Sequence, residues 1–240
     1  TEQKWKDWMV FIRDKSEIRK KLLKKVRNLR VLDPSVGSGR FLVSMATYLY
    51  GIYQNLDPYD DSEDVARRIL EKNLFGVEMD ESACHYSKLS LYGWYFSIID
   101  EDMVFPDLGC YNPSNLEKQE LMDLIEKIGL SLNLKNQEFL IEYEIKQDVV
   151  FFDLIICYPP YIENKKIKDK SFKKQLYEKF ESAYGLFDIS VVFMERALSL
   201  LKSRPLGYFS FITTNKFLAA DYGKKIRKTL LKQGVVKEII

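Results

Sequence analysis

The residues best suited to chemistry lie in the stretch Phe152-Asp153-Leu154-Ile155-Ile156-Cys157-Tyr158-Pro159-Pro160-Tyr161. Its apolar run lacks polar alternation, which predicts a buried strand of a parallel sheet. The two prolines have no backbone N–H and cannot continue the ladder. The strand must therefore end in a turn with fixed φ angles and an aromatic, Tyr161, at its tip. Such a pair of prolines can simply punctuate a loop. It can also line a ligand site, because ligands of open α/β sheets bind beyond the carboxyl ends of the strands.

A second group of this kind is Asp33-Pro34-Ser35-Val36-Gly37-Ser38-Gly39. It follows a short apolar strand, Leu29 to Leu32, and precedes the helical pattern Phe41, Leu42, Met45 and Leu49. Strand, glycine-rich turn and helix in that order form the first half of a nucleotide-binding α/β unit. Gly37 and Gly39 allow a ligand to approach the backbone closely. The full dinucleotide spacing is missing and no lysine follows the turn, which disfavours NAD and ATP. Glu78 ends the next strand, Leu74 to Glu78, where a carboxylate can accept hydrogen bonds from both hydroxyls of a ribose. Met79 beside it is placed to pack on an adenine ring. Beyond Tyr161, the lysines at 165, 166, 168, 170, 173, 174 and 179 alternate with Phe172 and Tyr177. That mixture suits a nucleic-acid backbone, and a mobile solvated loop fits it nearly as well.

Composition narrows the field further. With 240 residues and 46% apolar content, the chain can bury roughly 70–75% of its unfolded surface. No apolar run spans a bilayer and the lysine-rich start has no signal-peptide core, so a soluble, cytoplasmic protein is expected. Cys84, Cys110 and Cys157 are widely spaced and odd in number, which excludes a disulfide framework and a Cys-x-x-Cys metal pair. The single histidine, His85, cannot supply a metal cluster or a histidine-dependent triad and reads as a surface or half-buried residue. The net charge of +2 announces no nucleic-acid partner by itself.

Strands and helices alternate along the chain. Residues 1–28 predict a basic, amphipathic helical segment, and 29–240 an α/β domain. Helices are expected over Val65 to Lys72, over Glu81 to about Ile98 with Tyr86, Tyr92, Trp94, Tyr95 and Phe96 as core, and from Ser114 to a stop at Gly129. Leu130 to Leu134 reads as a third strand. Asp188 caps a helix from Ile189 to Lys202, Gly207 to Thr213 is a strand, and a basic helix from Asp221 to Lys232 precedes a strand over Val235 to Ile240. The absence of an initiator methionine and of a turn after Ile240 suggests a piece of a longer protein.

Together these segments resemble the amino-group DNA methyltransferases that modify adenine at N6, in particular the large single-chain, type IIG kind of restriction-modification and phage-defence enzyme. Asp33-Pro34-x-x-Gly37-Ser38-Gly39 looks like that family's cofactor loop, and Leu74-Phe75-Gly76-Val77-Glu78-Met79-Asp80 looks like its second-strand motif. Glu138-Phe139-Leu140 is similar to its Asp-Phe-Leu segment, and Phe152 to Tyr161 to its strand plus Asn-Pro-Pro-Tyr. The resemblance implies a Rossmann-like methyltransferase fold, a mostly parallel sheet flanked by helices, truncated here before its last strand. It implies S-adenosylmethionine as cofactor, with Asp33, Pro34, Gly37, Gly39, Glu78, Met79, Glu138 and Phe139 as its binding residues. The Glu138 carboxylate would meet the cofactor's adenine amine. Double-stranded DNA is the implied partner, contacted by Lys165, Lys166, Lys168, Lys173 and Lys174. A nuclease and a target-recognition domain would lie outside these 240 residues. In the catalytic turn, residue 158 and the Pro159 carbonyl would accept hydrogen bonds from the amino group of a flipped adenine, Pro160 would hold the turn, and Tyr161 would stack on the base.

One position departs from the pattern. Tyr158 stands where the motif carries Asn, Asp or Ser, and its phenol oxygen lies a full ring beyond a carboxamide oxygen. The expectation is impaired transfer with cofactor binding retained. Two alternatives are an inactive methyltransferase-like module that binds cofactor and DNA, and methylation of an RNA base or a protein glutamine.

Overall fold

The computed structural model describes residues 7, 10–12, 15–99, 125, 126, 128–144, 151–203, 207–233, 237 and 238. The expected helix from Ser114 lies mostly outside them, as does the strand expected over Val235 to Ile240. Among the described residues there are five strands: β1 (Val31–Asp33), β2 (Leu74–Glu78), β3 (Asn133–Asn136), β4 (Leu154–Cys157) and β5 (Tyr208–Phe211). They form one all-parallel sheet in the order β3-β2-β1-β4-β5. Helices α1 (Ser16–Arg27), α2 (Arg40–Leu56), α3 (Ser62–Arg68), α4 (Glu81–Ile99), α5 (Lys170–Lys179), α6 (Ile189–Ser199), α7 (Lys216–Ala219) and α8 (Lys224–Gln233) alternate with the strands. The chain groups into two compact units, Thr1–Val31 with Val36–Gly76 and Asp80–Lys135, and Leu32–Ser35 with Val77–Met79 and Asn136–Ile240.

In the first unit the core is built largely by helices. Helix α2 buries Leu42, Ala46, Leu49, Tyr53 and Leu56, and α4 buries Cys84, Ser87, Leu91, Trp94, Tyr95 and Phe96. Cys84, Ser87, Leu91 and Trp94 of α4 follow one helical stripe, and Tyr95 and Phe96 beside Trp94 bury the end of the helix on more than one face. Tyr86 stands two residues from Cys84, on the opposite face, and is exposed, so it does not join the aromatic core expected of it. His85 is also exposed. Buried Asn73 joins three elements: its amide donates to the carbonyls of Val26 (2.9 Å) and Leu29 (2.6 Å), and its oxygen accepts from the Tyr53 hydroxyl at 3.1 Å. Helix α3 continues into a wider helical turn, Ile69–Asn73, which delivers Asn73 to that position. Gly129 has φ +62°, and its N–H reaches back to Ile125 O and Glu126 O, as expected of a helix stop.

Two strands begin two or three residues later than the sequence expectation, and β5 ends at Phe211, two residues short of the expected Thr213. The first lies at Val31–Asp33 rather than Leu29–Leu32, because the Leu29 carbonyl is taken by the Asn73 amide. The third lies at Asn133–Asn136 rather than Leu130–Leu134. Its sequence is polar because it lies at the edge of the described sheet, and the Asn133 amide bonds to the carbonyls of Glu71 (2.7 Å) and Leu74 (3.2 Å), where the chain enters the neighbouring β2. Leu130, expected within the strand, is buried ahead of it.

In the second unit β4 pairs with β5 in register, Leu154 with Tyr208 through Cys157 with Phe211. The Asp188 carboxylate accepts from Ser190 N at 2.9 Å and caps α6, which buries seven residues from Ile189 to Ala197. α6 ends at Ser199, three residues before the expected Lys202, whose backbone N–H instead bonds Phe152 O at 2.9 Å.

Candidate functional site

The strand order reverses between β1 and β4, and a crevice beyond the carboxyl ends of the strands at such a reversal is where open α/β sheets take ligands. The second unit places Asp33, Glu78, Asn136, Cys157 and Phe211 at the ends of β1 to β5 in turn. Most of the residues singled out from the sequence follow these ends.

Asp33 is 1% exposed. Its Oδ1 accepts the Ser35 N–H at 3.0 Å, and its Oδ2 is buried with no hydrogen-bond partner. Burial pushes the carboxyl up from 3.8 to about 7; the Ser35 N–H pulls the other way and the Glu78 charge adds to the rise. A buried, half-satisfied carboxylate is costly unless something else pairs with it. A cationic or hydrogen-bond-donating ligand would do so.

Glu78 is half-buried, and its carbonyl is fixed by Gln137 N (2.9 Å) and the Asn136 amide (2.9 Å). The same amide holds the Met79 carbonyl at 3.2 Å. Met79 itself is 71% exposed, an apolar surface available to a flat ring. The Glu138 carboxylate accepts the N–H groups of Leu140 (2.8 Å) and Ile141 (2.6 Å), so both oxygens already cap their own turn, each with lone-pair capacity left. Phe139 is buried, stacked on Phe193 at 5.3 Å and tilted against Tyr143. It supports the turn from within the core.

The Tyr158-Pro159-Pro160-Tyr161 turn follows β4 directly. Tyr158 is 53% exposed and meets Tyr161 edge-to-face, ring centroids 5.5 Å apart. The Tyr161 hydroxyl donates to Ile212 O at 2.9 Å and is pushed up to about 12, first by desolvation and then by the neighbouring Tyr158 hydroxyl. Ser35 joins this turn to the Asp33 loop: its hydroxyl donates to Tyr158 O at 3.1 Å and lies 3.2 Å from Cys157 Sγ. Burial pushes the Cys157 thiol well up, so it stays protonated and unreactive. Nothing in the sequence pattern singled out Ser35, because a serine in a turn has no spacing signature.

In the first unit, Gly37 (φ +56°) and Gly39 (φ +86°) are left-handed. Space around Gly37 is open, whereas a Cβ on Gly39 would stand 3.1 Å from the Ser87 Cα. Gly39→Ala therefore meets backbone strain and a tight contact with the Ser87 backbone. It should destabilise the protein by about 1–3 kcal/mol; a thermal midpoint lowered by several degrees in calorimetry is the expected reading, and an unchanged one refutes it.

The lysine-rich segment is helical rather than a long loop. Residues 164–166 form a helical turn, and the Asp169 carboxylate caps α5 through Ser171 N (2.8 Å) and Phe172 N (3.0 Å). Lys165 pairs with Glu163 at 2.9 Å, Lys173 donates to Asn164 O at 2.7 Å, and Lys174 stands 3.7 Å from Glu178. Lys166 and Lys168 are exposed. Tyr177 packs edge-on against Phe187 and donates to Gly185 O at 3.1 Å, so its ring serves the fold. Buried Asn164, which belongs to no motif of the sequence, anchors the segment: its backbone N–H bonds Phe187 O and its amide bonds Gly185 O at 2.7 Å. Among the described residues no group of three His, Cys, Asp or Glu is arranged to hold a metal, and no helix is long and apolar enough to cross a membrane.

The chain is 24% identical over 238 residues to the type II restriction enzyme and methyltransferase RM.Eco57I of Escherichia coli, covering 90% of this chain and 23% of that protein. It is 25% identical over 219 residues to the type II methyltransferase M.BstVI of Geobacillus stearothermophilus, covering 90% of this chain and 34% of the relative. It thus spans about a quarter to a third of the length of these relatives. Among solved structures, the type IIL restriction-modification enzyme MmeI in complex with DNA superposes with a TM-score of 0.61 at 18% identity, over 93% of this chain and 29% of that one. The type ISP restriction-modification enzyme LlaGI with a DNA substrate mimic superposes at 0.57 and 19% identity, over 86% of this chain and 17% of that one. The model of the Eco57I restriction-modification methylase family matches residues 72–240, the greater part of the chain, from the second strand through the Tyr-Pro-Pro-Tyr turn and beyond it. The chain belongs to the Eco57I restriction-modification methylase family.

Proposed function

We propose that the chain is the methyl-transferring part of a restriction-modification DNA methyltransferase that acts on the N6 amine of an adenine flipped out of duplex DNA. The observation that carries this is the joining of two turns at the sheet reversal: the Asp33 loop, with a buried unpartnered carboxylate oxygen, and the Tyr158-Pro159-Pro160-Tyr161 turn. Family membership supports the reaction class, and the DNA-bound state named for MmeI supports the substrate.

The residues fit S-adenosylmethionine on their own chemistry. The orphaned Asp33 oxygen suits a positively charged ligand, Glu78 ends β2 where a ribose is accepted, and exposed Met79 offers a surface to an adenine ring. When bound, that cofactor supplies an electrophilic methyl group. An adenine amine is a weak nucleophile because its lone pair is delocalised into the ring. The Pro159 carbonyl accepts one amino hydrogen and frees that lone pair; Pro159 has a fixed φ and Pro160 restricts its ψ, so this acceptor needs no reorganisation. Tyr161, held by Ile212 O, offers a ring for the flipped base, worth about 1–3 kcal/mol by stacking. No proton-abstracting histidine takes part.

The test is transfer of labelled methyl from S-adenosylmethionine to duplex DNA by the full-length protein, unsubstituted and as Tyr158→Asn. Labelled N6-methyladenine supports the proposal; no label in either defeats it. The exposure of Tyr158 and its packing on Tyr161 favour one second reading, a cofactor- and DNA-binding module without activity. Cofactor binding by calorimetry with no transfer by Tyr158→Asn would select that reading.

Contact with DNA through the exposed Lys166 and Lys168 has its own signature. Lys166→Glu with Lys168→Glu should weaken DNA binding at about 0.1 M salt by about tenfold or more, evenly across sequences. The slope of log affinity against log salt should fall by about 1–2. Unchanged affinity and slope in a fluorescence titration would remove these lysines from the interface.

A further inference from the structure

We propose that Ser35 is a positioning residue that sets the direction of the Pro159 carbonyl by fixing the peptide plane just before it. The inference rests on the reading of the turn given above and adds a residue to it.

The geometry is specific. The Ser35 hydroxyl donates to Tyr158 O at 3.1 Å, with Cys157 Sγ at 3.2 Å, and the Ser35 N–H donates to Asp33 Oδ1 at 3.0 Å. One residue thus bonds the Asp33 carboxylate through its backbone and the Tyr158–Pro159 peptide through its side chain. That peptide has no N–H, so its carbonyl is the one group by which its plane can be held. Beyond it the chain has little freedom. Proline locks φ of residue 159, and a proline at 160 confines ψ of residue 159 to the extended range. The direction of the Pro159 carbonyl therefore follows from the plane of the preceding peptide.

Cys157 adds a constraint of its own. Its thiol is buried and held protonated, so the Ser35 hydroxyl sits between a weak sulfur partner and a strong carbonyl acceptor. The carbonyl takes the proton because the tyrosine backbone oxygen is the better acceptor. The bond needs nothing from the Tyr158 side chain, so it survives any substitution there.

The expected behaviour separates this role from cofactor binding. In the Tyr158→Asn background of the full-length protein, Ser35→Ala should lower kcat for methyl transfer about three- to tenfold, the worth of one hydrogen bond. The KM for S-adenosylmethionine should stay within about twofold, and Ser35→Thr, which keeps a hydroxyl, should restore kcat. A second measurement needs neither activity nor ligand. With 3-fluorotyrosine incorporated in the unsubstituted protein, Ser35→Ala should shift and broaden the Tyr158 fluorine resonance, Ser35→Thr should not, and exposed Tyr48 and Tyr59 should keep their positions. An unmoved Tyr158 resonance overturns the inference whatever the activity. A changed cofactor KM with unchanged kcat overturns it too, since Ser35 would then serve the Asp33 loop alone. If Tyr158→Asn transfers no methyl at all, the functional reading fails while the fluorine spectrum still decides the role of Ser35.

Discussion

Tyr158→Asn should raise methyl transfer to duplex DNA at least about 100-fold over the unsubstituted protein, the usual scale for restoring one preorganised group at a reacting centre. The turn is already in place. Pro159 and Pro160 fix the backbone, Ser35 holds the Tyr158 carbonyl at 3.1 Å, and Tyr161 is anchored on Ile212 O. On the function proposed above, a short acceptor beside the Pro159 carbonyl would be missing, because the phenol oxygen lies a ring's length beyond a carboxamide oxygen and the half-exposed ring would occupy space a base needs. Asparagine supplies a carboxamide oxygen and removes the ring. The cost to stability is small: the edge-to-face contact with Tyr161 is lost, about 0.5–1.5 kcal/mol for a buried pair and less at this exposure. Tyr158→Phe is the control and should stay as slow as the unsubstituted protein, since it keeps the ring. Counting labelled methyl in N6-methyladenine after digestion decides the matter. If phenylalanine activates as well as asparagine, the phenol oxygen was the obstacle and the acceptor argument is wrong.

Asp33→Asn should abolish a fall in stability that the ligand-free protein shows between about pH 4 and pH 7. The sign follows from proton binding. Burial raises the folded-state value to about 7 from an ordinary 3.8, so between these two the folded protein holds a proton that the unfolded chain has lost. Stability from this group is complete below about 3.8 and is lost as pH rises through about 7. The gap between the two values sets an upper bound on the order of 4 kcal/mol. Asparagine cannot titrate, so its stability curve should be flatter over that window. At acid pH the variant should be the less stable of the two, because its buried amide brings N–H donors without partners. The same physics would link Asp33 to the proposed cofactor: a cationic ligand favours the ionised carboxylate. Affinity for S-adenosylmethionine should therefore rise from about pH 5 to about pH 8 in the unsubstituted protein and stay flat, and weak, in Asp33→Asn. Urea unfolding and calorimetry across this range measure both. Parallel stability curves for the two proteins would mean that Asp33 does not titrate in the folded state.

These expectations draw on different levels of the chain. Much of the framework was legible because local rules and tertiary context agree. The proline pair had to end β4, the alternation of apolar runs and amphipathic patterns had to give an α/β sheet, and Asp188 had to cap α6. The order of motifs pointed to the family before any strand was placed. Boundaries were less legible where side chains compete for backbone groups. Asn73 takes the Leu29 carbonyl and shifts β1, and Asn133 makes a polar segment into an edge strand while apolar Leu130 packs outside it. The lysine-rich segment looked open-ended because its pattern is set by charge. Asp169 and buried Asn164 make it helical and anchored.

The proline-stopped strand and its aromatic turn are thus properties of the sequence itself. Fixed φ angles and missing N–H groups act within a few residues and need no partner. The tertiary structure alone decided how that turn is held. Ser35 lies 123 positions from Tyr158 along the chain, and their hydrogen bond exists only because the sheet sets β1 beside β4. The same holds for the unpartnered Asp33 oxygen, since whether a carboxylate is buried and satisfied depends on everything packed around it.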